Sequence, residues 1–179
     1  MSENNTAFSV LKTLSESFSA KAKALPAEKE EVATRTMVCF NISGQKMVAA
    51  IEEVAEVLEQ QSCTRLPRVK KWVRGVANVR GRLLPVVDFA DFLGNRLRTP
   101  PKLQRIVVLD VGDLYVGLLV DQVYGMRHFR VDGYTTKTTG APEVLADYIE
   151  GGFIQGDEHW LLMRPSKLEQ DPVFMDAAA

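Results

Sequence analysis

Residues 75 to 88 read Gly-Val-Ala-Asn-Val-Arg-Gly-Arg-Leu-Leu-Pro-Val-Val-Asp, and this stretch decides the fold. Asn78 tolerates left-handed geometry and can bond its own backbone. Gly81 takes a positive φ at no steric cost, so the two favour a fixed turn that presents Arg80. Arg82 to Asp88 is a short β-branched run on the far side of that turn. Pro85 has no N–H for a ladder, which predicts an edge strand or a start at a bulge. Asp88 is placed to cap a short helix holding Phe89, Phe92 and Leu93, and Gly94 ends it.

The same grammar extends in both directions. Upstream, Val38, Phe40 and Ile42 alternate to one face, Ser43-Gly44-Gln45 turns the chain and Lys46 to Ile51 returns, which predicts a hairpin. Ile51, Val54, Ala55 and Leu58 read as a helical turn or two, while Glu56 to Gln60 fit an extended run equally well. Downstream, Arg105 to Leu109 and Leu114 to Val120 flank Val111-Gly112-Asp113 as a second hairpin. Residues 132 to 142 read as a long exposed loop. Tyr148 to Gln155 and Trp160 to Met163 form a last hairpin, and Pro165 opens a short helix at its first turn. Eight to ten short strands result, most economically closed into one or two small β-barrels because closure removes aggregation-prone edges.

Residues 1 to 34 differ in composition. Ala7, Leu11, Leu14 and Phe18 recur at helical spacing, Thr6 or Asn5 can cap the start, and Pro26 stops the run. They predict a helix over roughly 6 to 24 that either docks on its own domain or binds a partner. The domain boundaries follow as 1–34, a folded domain over 35–168, and a tail over 169–179.

Composition narrows the function. Lys plus Arg number 22 and Asp plus Glu 23, a net charge of −1, so the whole chain is not a polyanion binder. Yet Arg65, Arg68, Lys70, Lys71, Arg74, Arg80 and Arg82 crowd seven cations into 18 residues. Small barrels do bind nucleic acid, but Trp72 is the only ring among these cations, whereas single-strand binders stack bases on several. The run is expected to face acidic patches on a protein partner, or solvent. Cys39 and Cys63 lack metal or redox spacing and read as small buried hydrophobes of a reducing compartment. With two histidines, His128 and His159, neither a zinc site nor a Ser/His/Asp triad is visible. An enzyme would have to draw on His128, His159, Asp121 or Glu143 without a motif behind them. No run of about 18 apolar residues and no secretory leader pattern occurs, and the expected location is the cytoplasm.

Three stretches together resemble the CheW family of chemosensory scaffold proteins: Gly75 to Gly81 with Leu83 to Asp88, Val54-Ala55-Glu56-Val57, and Val116 to Val123. Order and spacing agree along residues 35 to 165. The N-terminal segment ending in Leu25-Pro26, and Trp72-Val73-x-Gly75-Val76-Ala77-Asn78, resemble the branch serving type IV pilus twitching motility, with a flagellar adaptor as the alternative. The resemblance implies an all-β fold of two interlocked, five-stranded SH3-like barrels with short helices. It implies no enzymatic activity, cofactor, metal, nucleic acid or membrane insertion. The implied partners are a chemoreceptor's cytoplasmic signalling tip, the CheW-like regulatory domain of a CheA-type histidine kinase, and other CheW-like domains in a membrane-associated array.

On the family's pattern Arg80 pairs with Glu56 to shape the edge of a receptor groove. Val54, Gly75, Val76 and Asn78 join them there, with core packing the alternative for Val54 and Val76. An apolar groove wall with a glycine in it suits the close approach of a helix. Trp72 and Val73 are interface candidates, with core filling as the other reading of the tryptophan. Gly81, Asp88, Gly117 and Asp121 read as structural turn residues.

Overall fold

The computed structural model describes Ser9, Lys12, residues 33–138 and residues 140–178. The helix expected over 6–24 lies outside the described residues except for Ser9 and Lys12, which are helical.

The folded unit, 33–179, opens with β1 (Thr34–Ile42) and β2 (Gln45–Ala50), joined at Ser43-Gly44 as the turn chemistry predicts. A single 3₁₀ turn (Ile51–Glu53) leads into β3 (Val54–Glu59), so both readings of this ambiguous segment were partly right. Next come β4 (Val73–Val79), β5 (Arg82–Asp88) and α1 (Phe89–Phe92), then β6 (Arg105–Val111) and β7 (Leu114–Val120). They are followed by β8 (Gln122–Arg130), the two-residue β9 (Tyr134–Thr135), β10 (Ile149–Gln155) and β11 (Glu158–Met163). Two short helices, α2 (Pro165–Glu169) and α3 (Pro172–Met175), finish the chain.

The strands form two sheets, ordered β8-β1-β2-β11-β10-β9 and β3-β6-β7-β5-β4. The strands of the folded unit therefore begin and end in the first sheet, with the second inserted between, and β2 lies parallel to β11 at Met47↔Leu161 and Val48↔Leu162. Counting β9, the first sheet has six strands rather than the expected five. The five-stranded sheet closes on itself. Thr64, just beyond edge strand β3, exchanges two backbone hydrogen bonds of 2.9 and 3.0 Å with Val76 on the opposite edge, β4. In the other sheet Phe129 of edge strand β8 packs on Phe153 of β10, ring centroids 5.2 Å apart. Register shifts in β1/β8, β3/β6, β4/β5 and β10/β11 supply the bends such curling needs.

Three cores result. Ala77, Val79, Leu84, Val86, Ile106 and Val108 fill the five-stranded barrel, while Met37, Cys39, Val48, Phe129, Phe153 and Trp160 fill the other. Val38, Phe40, Val87, Val107, Leu109 and Leu118 belong to the large core between them. Adjacent residues of β1, β5 and β6 thus point into different cores, which explains continuous apolar runs such as Ile106-Val107-Val108-Leu109.

Several expectations need correction. β5 is interior, between β7 and β4. Pro85 fits because it lies opposite Val76 where β4 alone is paired, and the β7 register begins one residue later at Val86. β8 escaped the strand reading because only Phe129 of its nine residues is buried, which leaves no alternation to see. Residues 134 and 135 of the expected loop are strand β9. The expected tail is instead packed on the fold: Phe174 is buried, stacks on Trp72 at 5.5 Å, and Ala177 accepts from the Lys70 amide at 3.0 Å. Cys39 is buried as read, whereas Cys63 is half-exposed. Among the described residues no helix is long and apolar enough to cross a membrane.

Candidate functional site

The β4–β5 connection is a two-residue loop, since Val79 pairs with Arg82. Arg80 (φ 52°) and Gly81 (φ 84°) both occupy positive φ, as the hairpin twist requires of such a loop. Asn78 Oδ1 accepts the Gly81 amide at 2.9 Å and locks the turn. Arginine has no intrinsic preference for this conformation, which costs about 1 kcal/mol or more away from glycine, yet the turn holds it out with 83 % of its side chain exposed. Its Nη2 lies 3.1 Å from Oε2 of Glu56, a carboxylate only 19 % exposed on β3. The pair joins opposite edges of the five-stranded sheet, beside the Thr64–Val76 seam.

The neighbouring candidates divide by burial. Asn78 is exposed, Val76 half-buried, and Val54 and Val73 half-buried against the inter-barrel core. Gly75 is buried at φ 134°, and a Cβ there would sit 2.3 Å from Thr64 O. The backbone that approaches it is therefore the chain's own. Trp72, an interface candidate by sequence, is a core residue: it is 9 % exposed, stacked on Phe174 and edge-on to Phe92 at 5.2 Å.

The residues read as turn-formers do three different jobs. Asp88 is buried, caps α1 by accepting the Asp91 amide at 3.0 Å, and pairs with Arg74. Asp121 is buried and accepts three backbone amides, Ser43 at 2.6 Å, Arg98 at 2.5 Å and Thr99 at 2.7 Å, tying the β1–β2 turn to the loop after α1. Gly117 is not in a turn. It lies in mid β7, where a Cβ would be 2.7 Å from Ile106 Cγ2 and 3.0 Å from Leu84 Cδ2, so it is small to let the barrel interior close.

The basic run is less bare than its sequence suggests. Arg74 pairs with Asp88, Arg80 with Glu56, Lys70 with Asp176, and Arg82 with Asp110 while lying over the Tyr115 ring at 3.4 Å. Arg65, Arg68 and Lys71 make no ion pair among the described residues. Of the residues weighed for acid–base chemistry, Asp121 is occupied by three backbone amides and His128 Nδ1 lies 3.0 Å from Thr36 Oγ1. Among the described residues no cluster of His, Cys, Asp and Glu could hold a metal.

One cluster was invisible in the sequence. Glu158 pairs with Lys46 and, at 3.0 Å, with Arg127, and both cations lie over Trp160 at 5.5 and 4.9 Å. The hydrogen bond from Lys46 leads in pulling the Glu158 carboxyl below its ordinary value. Positions 46, 127 and 158 lie on β2, β8 and β11 and meet only as the first sheet curls, so no local spacing signals the cluster.

Comparison with known proteins agrees with this architecture. The CheW-like domain family model matches residues 36–172. Protein PilI of Pseudomonas aeruginosa is 39 % identical over 178 residues, covering 99 % of each chain. The chemotaxis protein CheW of Thermotoga maritima is 34 % identical over 90 residues, 50 % of this chain and 59 % of that one. The crystal structure of the scaffolding protein TtCheW from Thermoanaerobacter tengcongensis shares the fold with a TM-score of 0.66 at 22 % identity, covering 74 % of this chain and 90 % of that one. Two interlocked sheets, the Asn-x-Arg-Gly hairpin and a match along most of the folded unit lead to one conclusion: the chain belongs to the CheW-like domain family, non-enzymatic scaffolds of chemotaxis-type systems.

Proposed function

We propose that this protein couples a methyl-accepting chemoreceptor to a CheA-type histidine kinase in the system that controls type IV pilus twitching motility. The observation that carries the reading is the similarity to PilI along 99 % of both chains. The receptor surface in this reading is the β4–β5 turn and its surroundings, Arg80, Glu56, Val54, Val76 and Asn78, with Gly75 supporting it from beneath by letting Thr64 close on β4. An arginine 83 % exposed on a locked turn suits recognition, because an ion pair with so exposed a partner adds little to folding and more to partner choice. The adaptor is recruited to a membrane-associated array through the receptor.

The test is titration of the purified full chain with a receptor signalling tip and, separately, with the kinase's regulatory domain. Binding to both supports coupling. Binding to the regulatory domain alone would make the protein an array component that does not touch receptor, and binding to neither would overturn the proposal.

A further inference from the structure

We infer that Leu83 and Pro85 extend the recognition surface along β5 and seat the aliphatic stripe of an amphipathic helix whose flanking residues are acidic. Leu84 and Val86 point into the barrel, as do Ala77 and Val79 on β4. Side chains alternate along a strand, and residues opposite one another share a face. The register Val76↔Pro85 and Asn78↔Leu83 therefore places these four side chains together on the outside of the five-stranded barrel. Further along β5 the same face carries Val87, which is buried in the inter-barrel core. The apolar strip thus leaves the core at Val87, passes Pro85 and reaches solvent at Leu83, which is 68 % exposed. That is the largest exposure of any big hydrophobic side chain among the described residues, and it occurs on a paired interior strand rather than on a loop.

The occupant follows from the charges around the strip. Arg80 stands at its tip on the turn, paired on one side with Glu56 and still 83 % exposed. At its other border Thr64 bridges to Val76, so Arg65 and Arg68 follow directly, and neither has an ion pair among the described residues. Arg82 is drawn aside onto Tyr115 and Asp110, which leaves Leu83 uncovered. An aliphatic strip between cations complements a helix with an apolar stripe and acidic shoulders.

This inference rests on the adaptor reading, and it adds Leu83 and Pro85 to the residues proposed to face the receptor. The experiment is calorimetric titration of a receptor signalling tip into the full chain carrying Leu83→Ala, Leu83→Met or Arg80→Glu. Leu83→Ala should weaken binding about tenfold, the scale of burying one leucine side chain, and Leu83→Met should restore most of it. The melting temperature should be unchanged in both, because Leu83 is outside every core. Raising salt should weaken the parent protein's binding. If the parent binds and Arg80→Glu weakens it while Leu83→Ala does not, the strip is not a contact and this inference alone fails. If the parent does not bind a receptor tip, the adaptor reading fails and takes this one with it.

Discussion

Replacing Gly75 by alanine should open the seam of the five-stranded barrel. The new Cβ would lie 2.3 Å from Thr64 O and 2.8 Å from Thr64 C, a clash with backbone that no rotamer change relieves. Relief requires moving Thr64 off β4, which lengthens or breaks its two hydrogen bonds with Val76. At about 1 kcal/mol net each these contribute about 2 kcal/mol. Holding alanine at a φ of 134° adds about 1–2 kcal/mol. The expected loss is about 3–4 kcal/mol, or roughly 6–16 °C in melting temperature for a chain of this size. Gly81→Ala is the matched control: its φ is also positive, but nothing lies within 4 Å of the added Cβ, so it should cost only about 1 kcal/mol. Calorimetric melting gives the magnitudes, and hydrogen exchange at the Val76 amide reports the seam directly. Equal losses for the two variants, or unchanged protection at Val76 in Gly75→Ala, would refute the argument. Any loss of receptor coupling in Gly75→Ala should then be judged against its fold.

Arg80→Glu should abolish the ion pair and weaken receptor binding while changing stability by no more than about 0.5 kcal/mol, since the arginine is largely exposed; thermal melting beside the binding titration checks both halves. Phe174→Ala should cost about 3–5 kcal/mol, because the ring is 5 % exposed and stacks on Trp72, so a wild-type melting curve would return residues 171–178 to the status of a tail. Burial pushes the Cys39 thiol up to about 11 and raises that of Cys63, which keeps both protonated at pH 8. A thiol reagent should therefore modify half-exposed Cys63 slowly and Cys39 only after unfolding. Prompt modification of two thiols in the folded protein would contradict this.

Local chemistry was the legible part. The hairpins at Ser43-Gly44 and Gly112, the Asp88 cap, and the Asn78–Gly81 turn presenting Arg80 all follow from residue types acting on their near neighbours, and these are written in order along the chain. The resemblance supplied Glu56 as the partner of Arg80, 24 positions away, which no local rule could have found. Tertiary structure decided everything that depends on two segments meeting. It placed Pro85 inside a sheet by starting the β7 register one residue later, and turned Trp72 from a possible contact into a core ring by laying Phe174 upon it. It also made Gly75 obligatory through Thr64 and gathered Lys46, Arg127 and Glu158 over Trp160. Alternation tells which side of a strand is apolar, but not which of three cores it faces, because that depends on how the first and last strands of the folded unit close one barrel around the insertion of the other. Leu83 shows the limit most plainly: in sequence it is one more leucine of an apolar run, and only the β4–β5 register turns it outward beside Arg80.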